Sequence, residues 1–337
     1  MRQNKLFSSI YITGTGLSIA FTMVLFIIYY VKFAPIYPEY NRNRTLVINM
    51  MNITMKENQR NFSCNHGVSY KVVDMLKDLP HLDKIGASSQ MGNYLGYALT
   101  MPESNEIYTP IINLTDRGFW DVFTFKFIDG KPYEQADVEA GLPKAVISES
   151  LAKRVFTRTD VAGEYIDLDG KDVQICGVVE DASTATPITA GEIYLPLFFY
   201  EQLRPTPRDF GLSGSVQLYL TAPSEEDVEA LRSEVQEAFK QYNLQDKELD
   251  SNLLNQPDIW WKNYFRTECN HEPDIAKAIR GILYMLLALL FIPAMNLCGM
   301  ISSRMDERMS ELGVRKAYGA TNVSLISQVL TENLLLT

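Results

Sequence analysis

Cysteine and histidine occur together twice in this sequence, each time in the same tripeptide. Cys64-Asn65-His66 lies early in the chain, and Cys269-Asn270-His271 lies late. Two cysteines and two histidines can bind zinc, although each pair here has one intervening residue, which is closer than the usual zinc spacing. A disulfide between Cys64 and Cys269 is a second interpretation. We favour coincidence, and therefore predict no metal site and no cofactor.

The sequence lacks the motifs of common hydrolytic enzymes. It contains no P-loop, no Gly-x-Ser-x-Gly and no His-Glu-x-x-His. Its three histidines are His66, His81 and His271, and His81 follows Pro80 in a predicted exposed turn. We therefore predict no catalytic residues and a chain that is not an enzyme.

Two long uncharged runs flank the middle of the chain. No Asp, Glu, Lys or Arg occurs at 6–31 or at 281–303. A membrane-spanning helix needs about 20 mostly apolar residues, so both runs are long enough. The first run is longer than the apolar part of a signal peptide, and no clear cleavage site follows it. We predict membrane helices at 6–32 and 281–303, with a large domain at 33–280.

The charges predict on which side of the membrane this domain lies. Residues 33–280 contain 24 Lys and Arg against 37 Asp and Glu, whereas the segments outside the two runs carry clustered Lys and Arg. Short segments that carry Lys and Arg stay in the cytoplasm. The middle domain is therefore predicted to be extracytoplasmic, and its acidity argues against nucleic acid as a partner.

The outer domain has mixed α and β patterns. Strands are predicted at 46–48 and 215–220, and helices at 68–79 and from Ser224 onward. The helix after Ser224 has one apolar side, made of Val228, Leu231, Val235 and Phe239. Between these units, Asp169-Gly170 predicts a hairpin, and a strand at 144–147 leads into a helix capped by Ser148. We predict one α/β subdomain interrupted by an inserted, β-rich subdomain at about 113–210.

A short amphipathic helix is predicted at 304–321, directly after the second apolar run. Met305, Met309 and Leu312 share a face, and Glu311 with Arg315 forms an acid-before-base pair one turn apart. Gly319 can end the helix in a left-handed conformation, after which Thr321 can cap a new helix. The pattern fits a helix that transmits force from a cytoplasmic motor, and equally fits a helix that anchors the spans to lipid headgroups.

A resemblance separates these two interpretations. The sequence Glu-Leu-Gly-Val-Arg-Lys-Ala-Tyr-Gly-Ala-Thr at 311–321, its continuation at 328–337 and Ile-Pro-Ala-Met-Asn-Leu at 292–297 carry it. This part of the chain, 281–337, resembles FtsX-like ABC transporter permeases. In the outer domain, residues 123–132, 145–152 and 177–181 are similar to the MacB-like periplasmic core domain.

The resemblance implies a four-span, multi-pass protein of the bacterial inner membrane. Its outer domain would have a porter-like α/β subdomain with an inserted β-rich subdomain, and the sequence would stop within a third span that starts at 322. Its partners would be a separate cytoplasmic ATPase, a second copy or a related permease, membrane lipid, and in some members a periplasmic fusion protein or a cell-wall hydrolase. By position, the ATPase-coupling residues would be Arg304, Arg308, Glu311, Gly313, Arg315, Lys316 and Gly319.

The resemblance also implies a function. ATP hydrolysis on the separate subunit would move the outer domain, in mechanotransmission or in export of a peptide, antibiotic or lipoprotein-type substrate. The alternative from a different class is a two-span sensor with an outer ligand domain. A sensor of this kind needs a longer cytoplasmic signalling module than residues 304–321 provide.

The predicted topology can be tested by labelling. A cysteine that replaces Glu226, on the predicted outer helix, should react with a membrane-impermeant thiol reagent in intact spheroplasts, because residues 33–280 face outward. The labelling of this variant is compared with that of the parent chain, because the cysteines of the parent chain give a background signal. Labelling of the new cysteine only after lysis would reject the topology.

Overall fold

The structure is a computed structural model that describes residues 5–64, 67–101, 106–206, 210–267 and 272–336. The chain divides into two compact units. One unit contains residues 1–28 and 276–337, and the other contains residues 29–275. The second unit is called the outer domain below.

Helices and strands alternate along the described residues. The α-helices are α1 (Lys5–Phe33), α2 (Lys71–Leu76), α3 (Met91–Leu95), α4 (Arg117–Val122), α5 (Gln135–Ala140), α6 (Glu149–Phe156), α7 (Val228–Gln245), α8 (Trp260–Asn263), α9 (Ile275–Ala317) and α10 (Asn322–Leu336). The strands are β1 (Thr45–Ile48), β2 (Met51–Met55), β3 (Asn61–Cys64), β4 (Lys84–Ser89), β5 (Leu99–Thr100), β6 (Ile107–Tyr108), β7 (Ile112–Thr115), β8 (Phe127–Gly130), β9 (Lys144–Ser148), β10 (Tyr165–Leu168), β11 (Lys171–Val179), β12 (Ile193–Pro196), β13 (Gln217–Thr221), β14 (Leu249–Asn252) and β15 (Asp258–Ile259).

A large mixed sheet forms the centre of the outer domain. Its strand order is β15-β1-β13-β4-β7-β12-β9-β11-β10-β5-β6, with β8 paired to β11. Two pairs are parallel, β7 with β12 and β9 with β11, and the others are antiparallel. A second sheet contains β14, β2 and β3 in that order. The domain is therefore α+β.

Several local predictions are confirmed. The strand predicted at 46–48 lies within β1, which pairs with β13. The four apolar residues of α7, from Val228 to Phe239, are all buried. Asp169 and Gly170 both have positive φ in the turn between β10 and β11. Ser148 caps α6 by accepting a hydrogen bond from the Leu151 amide.

Two predicted boundaries differ from the structure. The helix expected at 68–79 begins only at Lys71, because the backbone of Val68 exchanges two hydrogen bonds with Val216. The inserted subdomain expected at about 113–210 is not separated by a break in the sheet. β7 pairs with β4 on one side and with β12 on the other, so the strands of this region continue the same sheet.

The packing of α4 against β4 requires two glycines. A Cβ on Gly118 would lie 2.0 Å from the Ile85 carbonyl oxygen, and a Cβ on Gly86 would lie 2.7 Å from the Gly118 backbone. The backbone of α4 thus lies directly on the backbone of β4, and this close approach leaves room only for glycine at both positions. This approach places Phe119 and Trp120 among the core aromatics Phe123, Phe125, Tyr194 and Tyr219.

Asp116 fixes the start of α4 from inside the core. One carboxylate oxygen accepts hydrogen bonds from the amides of Ala87 and Phe119, each 2.8 Å long, and the other accepts one from the Tyr70 hydroxyl. The residue is 2 % exposed. Burial raises the pKa of Asp116 from 3.8 to about 6, although the two amides oppose that shift.

The long helices lie mostly in the first unit, and the last turn of α1 belongs to the second. The segments Ile12–Phe33 and Ile275–Met295 are long and apolar enough to cross a membrane, with mean hydropathies of 1.9 and 2.1. Helix α9 is continuous over 43 residues and runs through Pro293. The boundary expected between a span at 281–303 and a separate helix at 304–321 is therefore not a break in the helix.

We predict that the hydrogen bonds of Asp116, and not its charge, stabilise the outer domain. Asp116→Ala should lower the free energy of unfolding by about 1–3 kcal/mol, because it removes a helix cap and leaves the buried Ala87 amide unpaired. Asp116→Asn keeps the oxygen that accepts both amide bonds and should cost less. Urea denaturation of the protein in detergent, followed by tryptophan fluorescence, measures both.

The stability of the wild type and that of Asp116→Asn should depend differently on pH. Because the folded-state pKa of Asp116 is raised, protonation favours the folded state, and this contribution is lost as the pH rises from about 4 to about 6. The wild type should therefore lose stability relative to Asp116→Asn over this range. The exposed Asp121→Ala is the control, with a loss of about 0.5 kcal/mol or less. An equal pH dependence in the wild type and Asp116→Asn would contradict the assignment.

Candidate functional site

The predicted coupling segment forms the last turns of α9 and the turn into α10. Glu311 and Arg315 make the predicted ion pair at 2.5 Å. The Arg315 guanidinium also donates a hydrogen bond of 2.8 Å to the Gln328 side chain in α10. Arg315 therefore ties the two helices together in addition to pairing along its own helix.

The turn between α9 and α10 has the predicted cap residues. Gly319 has a φ of +96°, a conformation that glycine adopts without the steric cost of a side chain. The Ala320 amide donates to the Arg315 carbonyl, which satisfies one of the last carbonyls of α9. Thr321 then accepts a hydrogen bond from the Ser324 amide at the start of α10. The two helices are joined by a defined turn.

Apolar side chains at this end of the unit are exposed. Tyr318 is 89 % exposed, and Met309, Val314, Val323 and Ile326 are also exposed. A Cβ added at Gly313 would meet no atom within 4 Å, so this part of α9 has room for close approach by another chain. Lys316 is exposed, whereas the side chains of Arg304 and Arg308 lie outside the described part of the structure. Exposed apolar groups beside charged ones are typical of a binding surface.

A second arrangement of charges lies in the outer domain, where α1 ends. Arg42 is 5 % exposed and forms an ion pair with Glu39, which is 2 % exposed, and two of its nitrogens donate to the same carboxylate oxygen. Its remaining nitrogen donates to the carbonyls of Val31 and Ala34, at 2.6 and 2.5 Å. These carbonyls have no partner within the helix, because they belong to its end. Arg42 therefore fastens the end of α1 to the domain.

Glu39 extends this contact toward the centre of the sheet. Its second oxygen accepts a hydrogen bond of 2.7 Å from the Thr189 hydroxyl. The carbonyl of Thr189 accepts another of 2.7 Å from the Tyr194 hydroxyl, and Tyr194 belongs to the central strand β12. Burial raises the pKa of Glu39, and the Arg42 charge opposes this shift. A continuous polar path thus links the end of α1 to β12.

The segment that leads toward α9 is fastened by another buried ion pair. Arg266 and Asp258 both have fully buried side chains and pair in a bidentate manner. Arg266 also donates to the Leu254 carbonyl at 3.1 Å. Asp258 lies in β15, the edge strand that pairs with β1. Among the ion pairs of the described residues, these two have the least exposed side chains, and each lies where the chain enters or leaves the domain.

The four residues of the buried pairs, Glu39, Arg42, Asp258 and Arg266, were not predicted from the sequence. Charged residues in loops are usually solvated, and no local spacing marks a pair that tertiary packing buries. A weak signal was present for the first pair, because Glu39 and Arg42 lie three residues apart shortly after an apolar run. Arg266 and Asp258 are eight residues apart and carry no such signal.

The cysteines give no metal centre in the described part of the chain. No cluster of three or more His, Cys, Asp or Glu with metal-binding geometry occurs there. Most of the repeated Cys-Asn-His motif, including His66, Cys269 and His271, lies outside the described residues, so neither zinc nor a disulfide is tested. Cys176 is free, and burial raises the pKa of its thiol to about 12, which makes it unreactive. His81 lies at the surface and pairs with Glu234 at 2.6 Å.

Comparison with known proteins identifies the family. The model of the MacB-like periplasmic core domain matches residues 8–238, and the chain therefore belongs to this family. It is 25 % identical over 227 residues to the uncharacterized ABC transporter permease YknZ of Bacillus subtilis, an alignment that covers 67 % of this chain and 53 % of YknZ. It is 22 % identical over 268 residues to the macrolide export protein MacB of a Shewanella species, covering 79 % of this chain and 38 % of MacB. The family predicted from the sequence is confirmed.

The chain spans about half or less of the length of these relatives. Among solved structures, a domain of a putative permease from Porphyromonas gingivalis aligns with a TM-score of 0.42 and 19 % identity, over 63 % of this chain and 89 % of that domain. The extracellular domain of YknZ aligns with a TM-score of 0.38 and 17 % identity, over 60 % of this chain and all of that domain.

We predict that Arg42 is required for the stability of the outer domain. Arg42→Met should lower the free energy of unfolding by about 3–5 kcal/mol, because it leaves the Glu39 charge buried without its partner. Adding Glu39→Gln should recover part of this loss, since the double variant holds no uncompensated charge. Urea denaturation in detergent measures both variants.

The surface ion pair between Arg158 and Glu164 supplies a matched control. Both side chains are about half exposed, so Arg158→Ala should cost about 1 kcal/mol or less. If Arg42→Met were no more destabilising than Arg158→Ala, the buried pair would not hold the domain together.

Proposed function

We propose that this chain is a permease subunit of an ABC transporter. In this function, a separate cytoplasmic ATPase binds the end of α9, and ATP hydrolysis moves the outer domain. The proposal is supported by the curated relatives, which are named as ABC transporter permeases or ATP-binding/permease proteins. Residues 29–275 would face away from the cytoplasm, and the chain would cross the bacterial inner membrane more than once.

The continuity of α9 is the observation that carries this proposal. The helix has 43 residues and is therefore about 64 Å long. The hydrocarbon core of a bilayer is about 30 Å thick, so one helix can cross it and extend well beyond. Apart from the one backbone hydrogen bond that Pro293 cannot donate, the helix has no break at which a displacement would be lost. Movement at residues 311–317 would thus reach Ile275, where the outer domain ends.

The contact with the ATPase would use both charge and apolar surface. The Glu311–Arg315 pair is exposed, and its connection to Gln328 holds the Arg315 guanidinium in one position. Exposed Tyr318 and Val314 provide apolar area beside these charges. Charges set the register of such an interface, and apolar anchors supply most of its binding energy. The remaining proposed coupling residues are Arg304, Arg308, Gly313, Lys316 and Gly319.

At the other end, the buried ion pairs would pass movement into the domain. Arg42 joins the end of α1 to Glu39 and, through Thr189, to β12. Arg266 joins the segment before α9 to the edge strand β15. Both connections are buried and each uses two charge-assisted hydrogen bonds, so they would shift as rigid parts and not as flexible tethers.

The substrate class follows by similarity only. The relatives are named for export of macrolides and of pyoverdine, and we propose export of a compound of this general kind, or of a peptide or lipoprotein-type substrate. A dimer with itself or with a related permease would supply the second half of the transporter. Partners on the outer side would be a periplasmic fusion protein or a hydrolase.

The coupling assignment is tested by a triple variant, Glu311→Ala, Gly313→Leu and Arg315→Ala, in the full-length permease. It should abolish co-purification of the proposed ATPase subunit, because it removes the charges and blocks close approach at Gly313. Membrane insertion and the outer fold should persist, since the three positions lie outside both.

The control is the double variant Met305→Ala and Met309→Ala. If the segment only anchored the helices to lipid, these methionines would matter for membrane retention and the triple variant would bind the ATPase normally. Co-purification of the ATPase at wild-type levels with the triple variant would therefore reject the coupling assignment.

A further inference from the structure

A short helix near the C-terminal end of the outer domain presents aromatic rings to its surroundings. Helix α8 is followed by a turn at Tyr264. Trp261 is 42 % exposed and Tyr264 is 45 % exposed. Positions three residues apart lie on one side of a helical segment, so the two rings face the same way. Trp260 instead packs inward, with its ring 5.5 Å from the Arg42 guanidinium.

Tyr264 contacts the last turn of α1 directly. Its ring centroid lies 6.1 Å from that of Phe33, in an edge-to-face arrangement, and the Lys32 ammonium lies 4.0 Å from the Tyr264 centroid. Phe33 is the last residue of the candidate span Ile12–Phe33. A ring that touches the last residue of a span lies at the level where the helix leaves the hydrocarbon. Tyr264 is therefore at headgroup level, and Trp261 is beside it.

The chemistry of this surface fits the boundary of a bilayer. Trp and Tyr prefer the interface, where the ring contacts acyl chains and the polar edge contacts headgroups and water. Lys32 adds a cation that can pair with lipid phosphate. Exposed rings of this size are otherwise costly in water.

We propose that Trp261 and Tyr264 form an aromatic foot, by which the outer domain rests on the lipid headgroup region without crossing the membrane. The inference rests on the proposed membrane topology and goes beyond it, since the foot is not part of a span. The family match ends at residue 238, so the foot lies outside the segment that defines the family.

The position of the foot would let it limit rotation of the outer domain on the membrane. α8 directly follows Asp258–Ile259, the strand held by the buried pair with Arg266. Trp260 connects the foot to Arg42 on its inner side. The foot therefore adds a third contact with the membrane, next to the two places where the chain enters it. With only two contacts the outer domain could rotate about the line that joins them, and the third contact prevents this rotation.

Fluorescence quenching in liposomes tests the foot. The full chain is reconstituted in phosphatidylcholine and phosphatidylglycerol, with bromine placed on the acyl carbons near the glycerol. The chain has three tryptophans, and Trp120 is only 8 % exposed in the core. The difference between the wild type and Trp261→Phe thus isolates the emission of Trp261. We expect brominated lipid to quench most of this component and aqueous iodide to quench little of it.

Matched variants define the outcomes. Trp260→Phe should retain the quenching by brominated lipid, because Trp260 faces inward. Equal quenching of the wild type and Trp261→Phe by brominated lipid would overturn the proposal. Quenching of the Trp261 component by iodide alone would also overturn it, because Trp261 would then face water. Quenching by neither reagent would overturn it too, because Trp261 would then be covered by protein. Release of the chain by alkaline carbonate would instead reject the membrane topology itself, so the two failures are distinguishable.

Discussion

The Arg42 guanidinium is the group that holds the end of α1 against the strands of the outer domain. Backbone carbonyls at the end of α1 have no intrahelical donor, and those of Val31 and Ala34 are partly buried, so a side chain must supply donors. Arg42 supplies the donors for Val31 and Ala34, and Glu39 neutralises its charge. An arginine suits this position because its planar group binds a carboxylate and two carbonyls at once, which a lysine cannot do. The end of the helix and the start of the sheet are thereby fixed by one side chain.

The large sheet connects these local contacts to the rest of the outer domain. β1 lies between β15 and β13, so the edge that carries both buried ion pairs is hydrogen-bonded through successive strands to β12 and beyond. The polar path through Glu39 and Thr189 reaches β12 by a second route. Protein interiors are close-packed and resist compression, so in the proposed function a domain held at two points of one sheet would be displaced as a body. The direct contact of α4 with β4 at Gly86 and Gly118 leaves no layer of flexible side chains at that interface.

Local patterns predicted much of this fold. The apolar face of α7, the turn at Asp169 and Gly170, and the Ser148 cap all depend on residues close in sequence, and the structure has them at the expected positions. The predictions failed where distant residues compete. Val68 fits a helical pattern, but its backbone pairs with Val216, which lies far along the chain. The boundary expected near residue 113 stays a prediction, and no break in the sheet marks it, because β7 pairs with both β4 and β12.

The proposed coupling residues and the buried ion pairs differ in how they can be found. The ion pair of Glu311 with Arg315 and the cap at Gly319 follow short-range rules, whereas their proposed coupling role rests on the family resemblance. Arg266 and Asp258 obey no short-range rule, and only the fold shows that both are desolvated. A buried ion pair adds little net stability compared with apolar residues of similar size, because removing two charges from water costs nearly as much as their attraction returns. Its geometry, in contrast, is narrowly defined. Buried pairs near both ends of the outer domain therefore favour fixed position over stability, which is the property that the proposed movement of the domain would require.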